Sequence, residues 1–317
     1  LARILRGASM SETLRVYIGL FGVAFFWGTS WAASKIGLQE FSPLHLTIVR
    51  FIVASLIFYF MLRVFYKDYV IEKRDKRRIW ILGLLGVSIY FLLQHTGLDM
   101  TTTVNSSILI ATSPIFTMFL STKLFRQEQL TYIGIFGALL AFMGVFLVFT
   151  GGKGILIGRN TLTGDLIMLL NSVVWALFSV LGKNVVDKYD PFVVMAYAYF
   201  YGTITMLPLA FNSGFITSLK TASITTWAAV IYLAIFCSVY SYYMWYKGIR
   251  IIGASQTAMF NYINPVIAVI IGVIFLKEEW NIYTLIGGIL VFLGVYITSA
   301  SKGIFTNKES KNRLSES

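Results

Sequence analysis

Charged residues are scarce in this sequence. Asp, Glu, Lys and Arg make up 13% of its 317 residues, whereas soluble domains carry about 25%. Hydrophobic residues account for 57%, and the mean hydropathy is +0.75. So few charges cannot cover a water-facing surface of this size, and we expect the lipid bilayer to be the solvent for most of the chain. The net charge of +12 then indicates basic loops that orient membrane helices, and nucleic acid is not an expected partner.

Cysteine and histidine are almost absent. The single cysteine, Cys237, excludes a disulfide framework and a cysteine metal cluster, and the two histidines, His45 and His95, do not make a metal site. A membrane-embedded enzyme needs clustered His, Asp, Glu or Cys for acid–base or metal chemistry. Only His95 lies deep in an apolar run, and no acidic pair does. The sequence therefore predicts no enzymatic activity, no cofactor and no metal.

Long apolar runs are abundant. A membrane-spanning helix needs about 20 mainly apolar residues. Ten segments qualify: 14–36, 43–62, 79–98, 102–122, 131–150, 161–182, 191–211, 224–246, 253–275 and 281–300. The first lacks a small-residue cleavage site, so we interpret it as a retained span. The sequence predicts an all-α integral membrane protein of ten transmembrane helices, flanked by an N-terminal segment, 1–13, and a C-terminal tail, 301–317.

The basic residues predict an orientation. If the N-terminus is cytoplasmic, twenty of the 26 Lys and Arg residues fall in cytoplasmic segments, and most of the bias comes from the 63–78 loop and the tail. Five fall on the other side and Arg50 lies within a span. Because cytoplasmic loops are enriched in Lys and Arg, we expect both termini in the cytoplasm and the protein in the plasma or inner membrane.

The two halves of the chain are related by a repeat. Trp27, Lys35 and Pro43 recur as Trp175, Lys183 and Pro191, displaced by 148. Gly97, Pro114, Glu128, Tyr132 and Gly137 recur as Gly248, Pro265, Glu279, Tyr283 and Gly288, displaced by 151. Each half, 14–152 and 153–300, has five predicted spans, and an odd number makes the repeats inverted. Inverted repeats are typical of secondary transporters with a binding site near the bilayer midplane; the alternative is a duplication kept for stable packing.

Ordered motifs in both halves resemble a known family. The segment Phe26–Trp31 (FWGTSW), then Pro43 and Arg50, and in the second half Pro265 followed by Glu278 and Glu279, are similar to the EamA family of the drug/metabolite transporter superfamily. The resemblance covers about residues 14–300. It implies a helical basket around a central cavity, peripheral fifth and tenth spans, cytoplasmic termini, and export or exchange of small metabolites such as amino acids.

One face of the first span carries candidate cavity residues. Trp27, Ser30 and Trp31 lie at positions i, i+3 and i+4, which share a helical face. Trp175 and Ser179 occupy the equivalent face of the sixth span. Two tryptophans facing a cavity would provide flat apolar walls with N–H donors, which suit an aromatic or amphipathic solute. The alternative is anchoring at the membrane interface.

The third span carries Gln94 and His95, and the repeat places Trp245 and Tyr246 at the equivalent sites. We predict that Gln94, His95 and Tyr246 line the cavity. His95 could bind a substrate carboxylate or titrate near neutral pH. It could equally hydrogen-bond a neighbouring helix.

Proline interrupts the fourth and ninth spans. Pro114 and Pro265 each remove a helix hydrogen bond, and paired interruptions point to transporter sites. The polar residues near them that we assign to the cavity are Asn105, Ser113, Gln256, Asn261 and Asn264. The alternative role for the amides is hydrogen bonding between helices.

Arg50 is the most central cation, about a third of the way into the second span. It could face the cavity and attract anionic groups, or extend to the outer interface. No carboxylate lies at mid-membrane in the predicted spans, so the sequence does not predict proton antiport through a deep carboxylate. Uniport, exchange and coupling through His95 remain open.

These observations predict a secondary transporter that exports or exchanges small organic metabolites by alternating access. Amino acids or similar aromatic or amphipathic compounds are the expected substrates. The alternatives are a channel or helical scaffold and, less favoured, a membrane-embedded enzyme. The expected partners are a small-molecule substrate and the lipid bilayer, with the chain acting as a monomer.

Overall fold

The computed structural model describes residues 10–67, 69–101, 103–129, 131–150, 162–210, 214–267, 270 and 282–315. In these ranges the regular secondary structure is helical, without strands. Seven helical segments there are long and apolar enough to cross a membrane: Glu12–Gly37, Pro43–Phe65, Lys73–Met100, Asn105–Leu124, Leu162–Val186, Pro191–Ala210 and Ile224–Ile252. Tyr132–Val148 and Leu285–Ala300 are shorter apolar helices. The predicted all-helical membrane character is confirmed, and part of the predicted span 253–275 lies outside the described residues.

We number the helices along the chain. They are α1 (Met10–Gly37), α2 (Pro43–Phe65), α3 (Lys73–Gly83), α4 (Tyr90–Met100), α5 (Thr103–Ile110), α6 (Ser113–Phe119), α7 (Tyr132–Thr150), α8 (Leu162–Val186), α9 (Pro191–Ala210), α10 (Phe215–Thr221), α11 (Ile224–Tyr232), α12 (Ser241–Ile252), α13 (Ala254–Met259) and α14 (Ile282–Ser315). Three segments are π-helical: Leu84–Ile89 joins α3 to α4, Leu233–Tyr240 joins α11 to α12, and Leu120–Leu124 follows α6. A 3₁₀ turn, Phe260–Tyr262, follows α13.

Local sequence signals set several helix ends. Ser42 precedes α2, and its side chain accepts a hydrogen bond from the backbone N–H of His45 at 3.2 Å, with Pro43 at the first helical position. Ser223 caps α11 in the same way through the N–H of Thr226. Serine satisfies a free N–H at a helix start, and proline there lacks only an N–H that would be unpaired anyway. Gly253, at φ 94°, separates α12 from α13 in a conformation that side chains disfavour.

Large apolar side chains cover the outside of the bundle. Phe60 is 68% exposed and Ile224 is 87% exposed, and many others on α1, α2, α7 and α14 are similar. Polar side chains such as Asn171, Ser172 and Thr117 are fully buried. Soluble proteins do not expose contiguous apolar surface on this scale, so these faces are suited to lipid.

Helices from the two halves of the chain pack against each other. Helix α1 packs on α11, on the π-helix Leu233–Tyr240 and on α12, whereas α8 packs on α3, on the π-helix Leu84–Ile89 and on α4. Helix α2 packs against α9. The centre of the bundle therefore lies between α1 and α8.

Helices α7 and α14 form the most extensive helix pair, and glycine makes the close approach possible. A Cβ added at Gly144 would lie 2.5 Å from the carbonyl oxygen of Gly287, and the reverse substitution meets the same limit. Thr298 donates to the carbonyl oxygen of Gly134 at 3.3 Å in the same contact. Small residues that let two backbones touch are the usual basis of helix association in lipid.

Candidate functional site

The two repeat-related tryptophans meet at the centre of the bundle. The rings of Trp27 on α1 and Trp175 on α8 have their centroids 5.5 Å apart and contact edge to face, at 76°. Trp175 is only 5% exposed and Trp27 is partly buried. The sequence predicted two walls flanking a cavity; in this conformation the rings touch each other instead.

Three further aromatic residues, from both halves of the chain, surround this pair. The ring centroid of Trp245 lies 5.2 Å from that of Trp27 and 5.4 Å from that of Trp175. The ring of Tyr242 packs edge to face on both tryptophans. The ring centroid of Tyr90 lies 4.9 Å from that of Trp175. We call Trp27, Tyr90, Trp175, Tyr242 and Trp245 the aromatic cluster. Sequence reasoning did not assign Tyr90, Tyr242 or Trp245 to the site. The available signal was that Trp245 is the repeat counterpart of Gln94, with Tyr242 one helical turn before it.

The indole N–H groups of the two central tryptophans are bonded differently. Trp27 Nε1 donates to the carbonyl oxygen of Cys237 at 3.0 Å. Trp175 Nε1 is buried without a hydrogen-bond partner among the described residues. The carbonyl equivalent to that of Cys237 in the first half is Gly86, and it instead accepts from the hydroxyl of Tyr242 at 3.3 Å. One buried donor at the centre is therefore left unsatisfied.

The predicted cation Arg50 points into the bundle rather than to its edge. Its Nε donates to Ser238 Oγ at 2.7 Å, across to the π-helix Leu233–Tyr240. The guanidinium carbon lies over the rings of Phe51 and Phe91, at 5.6 and 5.8 Å from their centroids. Phe91 follows Tyr90 of the aromatic cluster, so Arg50 lies beside this cluster.

His95 lies on the same side of the bundle as Arg50. Its Nε2 is 3.3 Å from Thr47 Oγ1, one turn before Arg50 on α2, and its Nδ1 is buried without a partner in the described ranges. The neighbouring residue Gln94 is partly buried on α4. Arg50 and His95 are thus on facing helices, as the cavity assignment requires.

The predicted interruption at Pro114 is present, and the residue before Ser113, Thr112, bonds to α8. Helix α5 ends at Ile110 and α6 begins at Ser113. Thr112 bridges the break, bonding the carbonyl oxygen of Leu109 at 2.5 Å and Ser172 Oγ at 2.9 Å. Ser113 is buried, and its carbonyl oxygen accepts from the hydroxyl of Thr117.

Asn105 binds a carboxylate at the start of α8 instead of lying at the aromatic cluster. Its Nδ2 is 3.1 Å from Asp165 Oδ1, and Thr101 donates to the same oxygen. For Asn105 the hydrogen-bonded packing role is the one that the structure displays.

The residues around Pro265 divide between packing and the centre. Gln256 Nε2 donates to the carbonyl oxygen of Ser299 at 3.2 Å, which ties α13 to α14. Asn264 donates to Asn261 Oδ1 at 3.5 Å, while its own Oδ1 is buried and without a partner among the described residues. The backbone of Asn264 also lies against Gly28, next to Trp27. Asn264 therefore lies close to the aromatic cluster.

The remaining predicted residues make hydrogen bonds within their own helix or to a neighbouring helix. Ser30 donates to the carbonyl oxygen of Trp27 at 2.6 Å, and Tyr246 donates to that of Phe178 at 2.7 Å. Ser179 joins the cluster by accepting from Trp245 Nε1 at 3.2 Å. The side chain of Trp31 lies outside the described residues.

An ion-pair cluster joins the two halves near the C-terminal end of α2. Asp75 accepts hydrogen bonds from Lys188 Nζ and from the hydroxyl of Tyr189, both at 2.7 Å, and from Arg78 Nη1 at 3.3 Å. Lys188 also pairs with Glu72 at 2.8 Å. The hydrogen bonds to Asp75 and then Glu72 raise the pKa of Lys188 above its ordinary value.

A second contact joins the halves near the opposite end of α2. The backbone N–H of Ser223 donates to Glu40 Oε2 at 2.7 Å, and His45 Nδ1 lies 3.3 Å from Ser218 Oγ. The bond from Ser223 lowers the pKa of Glu40. The aromatic cluster thus has inter-half polar contacts toward both ends of the bundle.

The fold resembles that of a solved structure, and the sequence resembles those of proteins named as transporters. A solved crystal structure superposes with a TM-score of 0.76 over 92% of this chain and 96% of its own, at 17% identity, which shows the same fold. A protein of Archaeoglobus fulgidus named an uncharacterized transporter is 34% identical over 278 residues, covering 87% of this chain and 94% of its own. A protein of Streptantibioticus cattleyicolor named a probable terminal-alkyne amino-acid exporter is 28% identical, covering 86% and 89%.

The sequence profile of the EamA-like transporter family matches residues 14–150 and 162–300, which is most of the chain in two copies. A protein of Bacillus subtilis named the uncharacterized transporter YyaM is 30% identical over 291 residues, covering 90% of this chain and 94% of its own. The chain therefore belongs to the EamA-like transporter family.

Proposed function

We propose that this protein is a secondary transporter that exports or exchanges small organic metabolites, amino acids or similar compounds with an aromatic or apolar body, by alternating access. The observation that carries the proposal is the contact between Trp27 and Trp175, 5.5 Å apart. The two residues are equivalent in the repeat, and equivalent residues that touch lie on the axis that relates the halves.

A second pair of equivalent residues supports this axis. Ser55 and Thr203, also displaced by 148, are hydrogen-bonded at 3.0 Å between α2 and α9. The packing of α1 on the helices α11 and α12 has a counterpart in that of α8 on α3 and α4. These paired contacts support two inverted five-helix repeats, at about residues 14–152 and 153–300.

Alternating access follows from such an arrangement because either half can take the other's packing. Opening toward one side would separate the ion-pair cluster of Asp75 and Lys188, and opening toward the other would separate Glu40 from Ser223. The ring contacts of the aromatic cluster would then part to admit an aromatic or apolar body. The amino-acid exporter among the relatives supports the substrate class.

We also propose cytoplasmic termini and a plasma- or inner-membrane location, from the excess of Lys and Arg in alternate loops. Single-cysteine labelling of intact cells tests this, in a chain whose buried Cys237 is replaced by Ser. A membrane-impermeant maleimide should label Glu40→Cys from outside and should label Lys67→Cys only after permeabilisation. The reverse pattern would contradict the orientation.

Flux into proteoliposomes tests the function itself. Purified protein is first screened for ligands that raise its melting temperature, using amino acids, nucleobases and cationic drugs, and the hits are then supplied as radiolabelled substrates. We expect saturable uptake that Trp175→Ala lowers and Phe60→Ala, on the lipid-facing side of α2, does not. Uptake that rises linearly with concentration would favour a channel, and absence of uptake of every stabilising ligand would reject the proposal.

A further inference from the structure

Arg50 carries a charge well inside the membrane-spanning part of α2. It lies seven residues after Pro43, which is about 10 Å along the helix axis. It is partly buried, between the rings of Phe51 and Phe91 and the hydroxyl of Ser238. A cation at such a depth is costly unless an anion or polar groups compensate it.

No protein carboxylate supplies this compensation in the described part of the chain. The ion pairs recorded there do not include Arg50. A guanidinium has five N–H donors, and only Nε has an acceptor in the described ranges, at 2.7 Å from Ser238 Oγ.

A second unused donor lies on the other side of Tyr90. Trp175 Nε1 is buried and has no acceptor in the described part of the protein. The carbonyl of Gly86, which is the repeat counterpart of the acceptor of Trp27, accepts from the hydroxyl of Tyr242. The ring centroid of Tyr90 lies 4.9 Å from that of Trp175 and 5.0 Å from that of Phe91. The guanidinium group of Arg50 lies over the ring of Phe91. The region has surplus donors and positive charge, so a complementary ligand supplies acceptors and negative charge.

We propose that Arg50 binds the carboxylate of the transported solute, with the body of the solute against the aromatic cluster beside Tyr90. A carboxylate can accept two parallel hydrogen bonds from a guanidinium, and here it meets one whose terminal nitrogens have no acceptor among the described residues. The inference rests on the proposed transport function and specifies which chemical group of the substrate is recognised. Compounds of equal shape that lack the carboxylate are then poor ligands.

Matched ligand pairs test this inference. The probes are L-tryptophan with tryptamine, 3-phenylpropionate with 3-phenylpropanol, and indole-3-acetate with tryptophol, and binding to the full-length purified protein is measured by its thermal stabilisation. We expect the carboxylate of a binding pair to bind more tightly than its partner. Arg50→Gln should weaken binding of the carboxylate about tenfold or more, because hydrogen bonds to charged groups contribute at this level. Binding of the partner that lacks the carboxylate should be unchanged.

Two further variants separate recognition from structure. Arg63→Gln removes a cation of the same helix that also lies over an aromatic ring, that of Tyr59. This substitution should change the binding of neither ligand. Arg50→Lys keeps the charge without the planar donor pair, so it should weaken the carboxylate less than Arg50→Gln does, and it decides the matter if Arg50→Gln does not fold. Equal weakening of both members of a pair would assign Arg50 a structural role and overturn the inference.

The two proposals fail differently. If tryptamine or the alcohols bind and are transported as well as the carboxylates, the transporter proposal stands and the role of Arg50 is rejected. If carboxylates bind through Arg50 but no probe shows saturable flux, the anion site stands and transport is rejected.

Discussion

The indole N–H groups of the two central tryptophans have unequal roles in the fold. Trp27 donates to the carbonyl of Cys237 at 3.0 Å, whereas the N–H of Trp175 has no acceptor in the described ranges. Removing a donor from a buried hydrogen bond leaves the acceptor unsatisfied and costs about 1–3 kcal/mol. Removing a donor that has no acceptor carries no such cost.

We therefore expect Trp27→Phe to destabilise the protein by about 1–3 kcal/mol more than Trp175→Phe. Both substitutions remove a similar ring area from the aromatic cluster, so each is the control for the other. Unfolding monitored by tryptophan-independent light scattering in detergent provides the comparison. Equal losses would show that the Cys237 bond contributes nothing to stability.

The sequence predicted where these residues lie but not how they bond. The offset of 148 identified Trp27 and Trp175 as equivalent, and the structure places them in contact. The acceptor at Cys237 was not predictable, because it lies in a π-helix, Leu233–Tyr240, whose hydrogen-bond register the apolar pattern does not encode. Trp245 was passed over for a related reason: its counterpart Gln94 is polar, so the repeat gave no aromatic pair.

At the scale of helices, the α7–α14 contact depends on glycine. A Cβ at Gly144 would lie 2.5 Å from a backbone oxygen, which cannot move without separating the helices. We expect Gly144→Ala to lower stability by about 1–3 kcal/mol, as overpacking does. Gly288→Ala, whose Cβ would meet only Val266 at 3.5 Å, is the matched control and should be close to neutral in thermal unfolding. A neutral Gly144→Ala would mean that the two helices do not approach this closely.

The ion-pair cluster near the C-terminal end of α2 yields a second test at this scale. The Asp75 side chain is 5% exposed and accepts from Lys188 and Tyr189, while Glu72 is 65% exposed and binds Lys188 alone. Asp75→Asn should destabilise by about 1–3 kcal/mol, and Glu72→Gln by less than about 0.5 kcal/mol. Denaturation in detergent measures both, and a larger loss for Glu72→Gln would contradict the assignment.

The pH dependence of this cluster follows from the raised pKa of Lys188. A group whose pKa is raised on folding stabilises below its unfolded pKa, and the stabilisation is lost as pH rises through the folded value. The unfolded value for lysine is about 10.4, so the contribution of Lys188 should be constant at neutral pH and fall only in strong alkali.

Polar residues within the spans were predicted less well than helix identity. Gln256 and Asn105 were assigned to the cavity, and the structure uses them to bond Ser299 and Asp165. A buried amide is equally suited to a ligand and to a neighbouring helix, and the choice depends on tertiary distances that a single sequence does not contain. The sequence did not decide whether the Arg50 side chain faces the interior or extends to the outer interface. Its hydrogen bond to Ser238 places it in the interior.

At the scale of the whole molecule, composition and length were sufficient for the class of protein. The scarcity of charge and the apolar runs predicted a helical membrane protein, and the matches to both halves place the chain in its family. The relation between the halves is supported by contacts of equivalent residues, Trp27 with Trp175 and Ser55 with Thr203. We propose that the axis relating the halves passes through these two pairs and that the site lies at the ring contacts, where both halves would contribute equally.

The central claim is that the halves alternate around a site at the aromatic cluster. Exchange in proteoliposomes measures this directly: efflux of a radiolabelled substrate is followed with and without the same unlabelled substrate on the opposite side. The account predicts that efflux saturates and is accelerated by substrate on the opposite side, because a loaded carrier returns faster than an empty one. Efflux that is proportional to concentration and unaffected by substrate on the opposite side would contradict it.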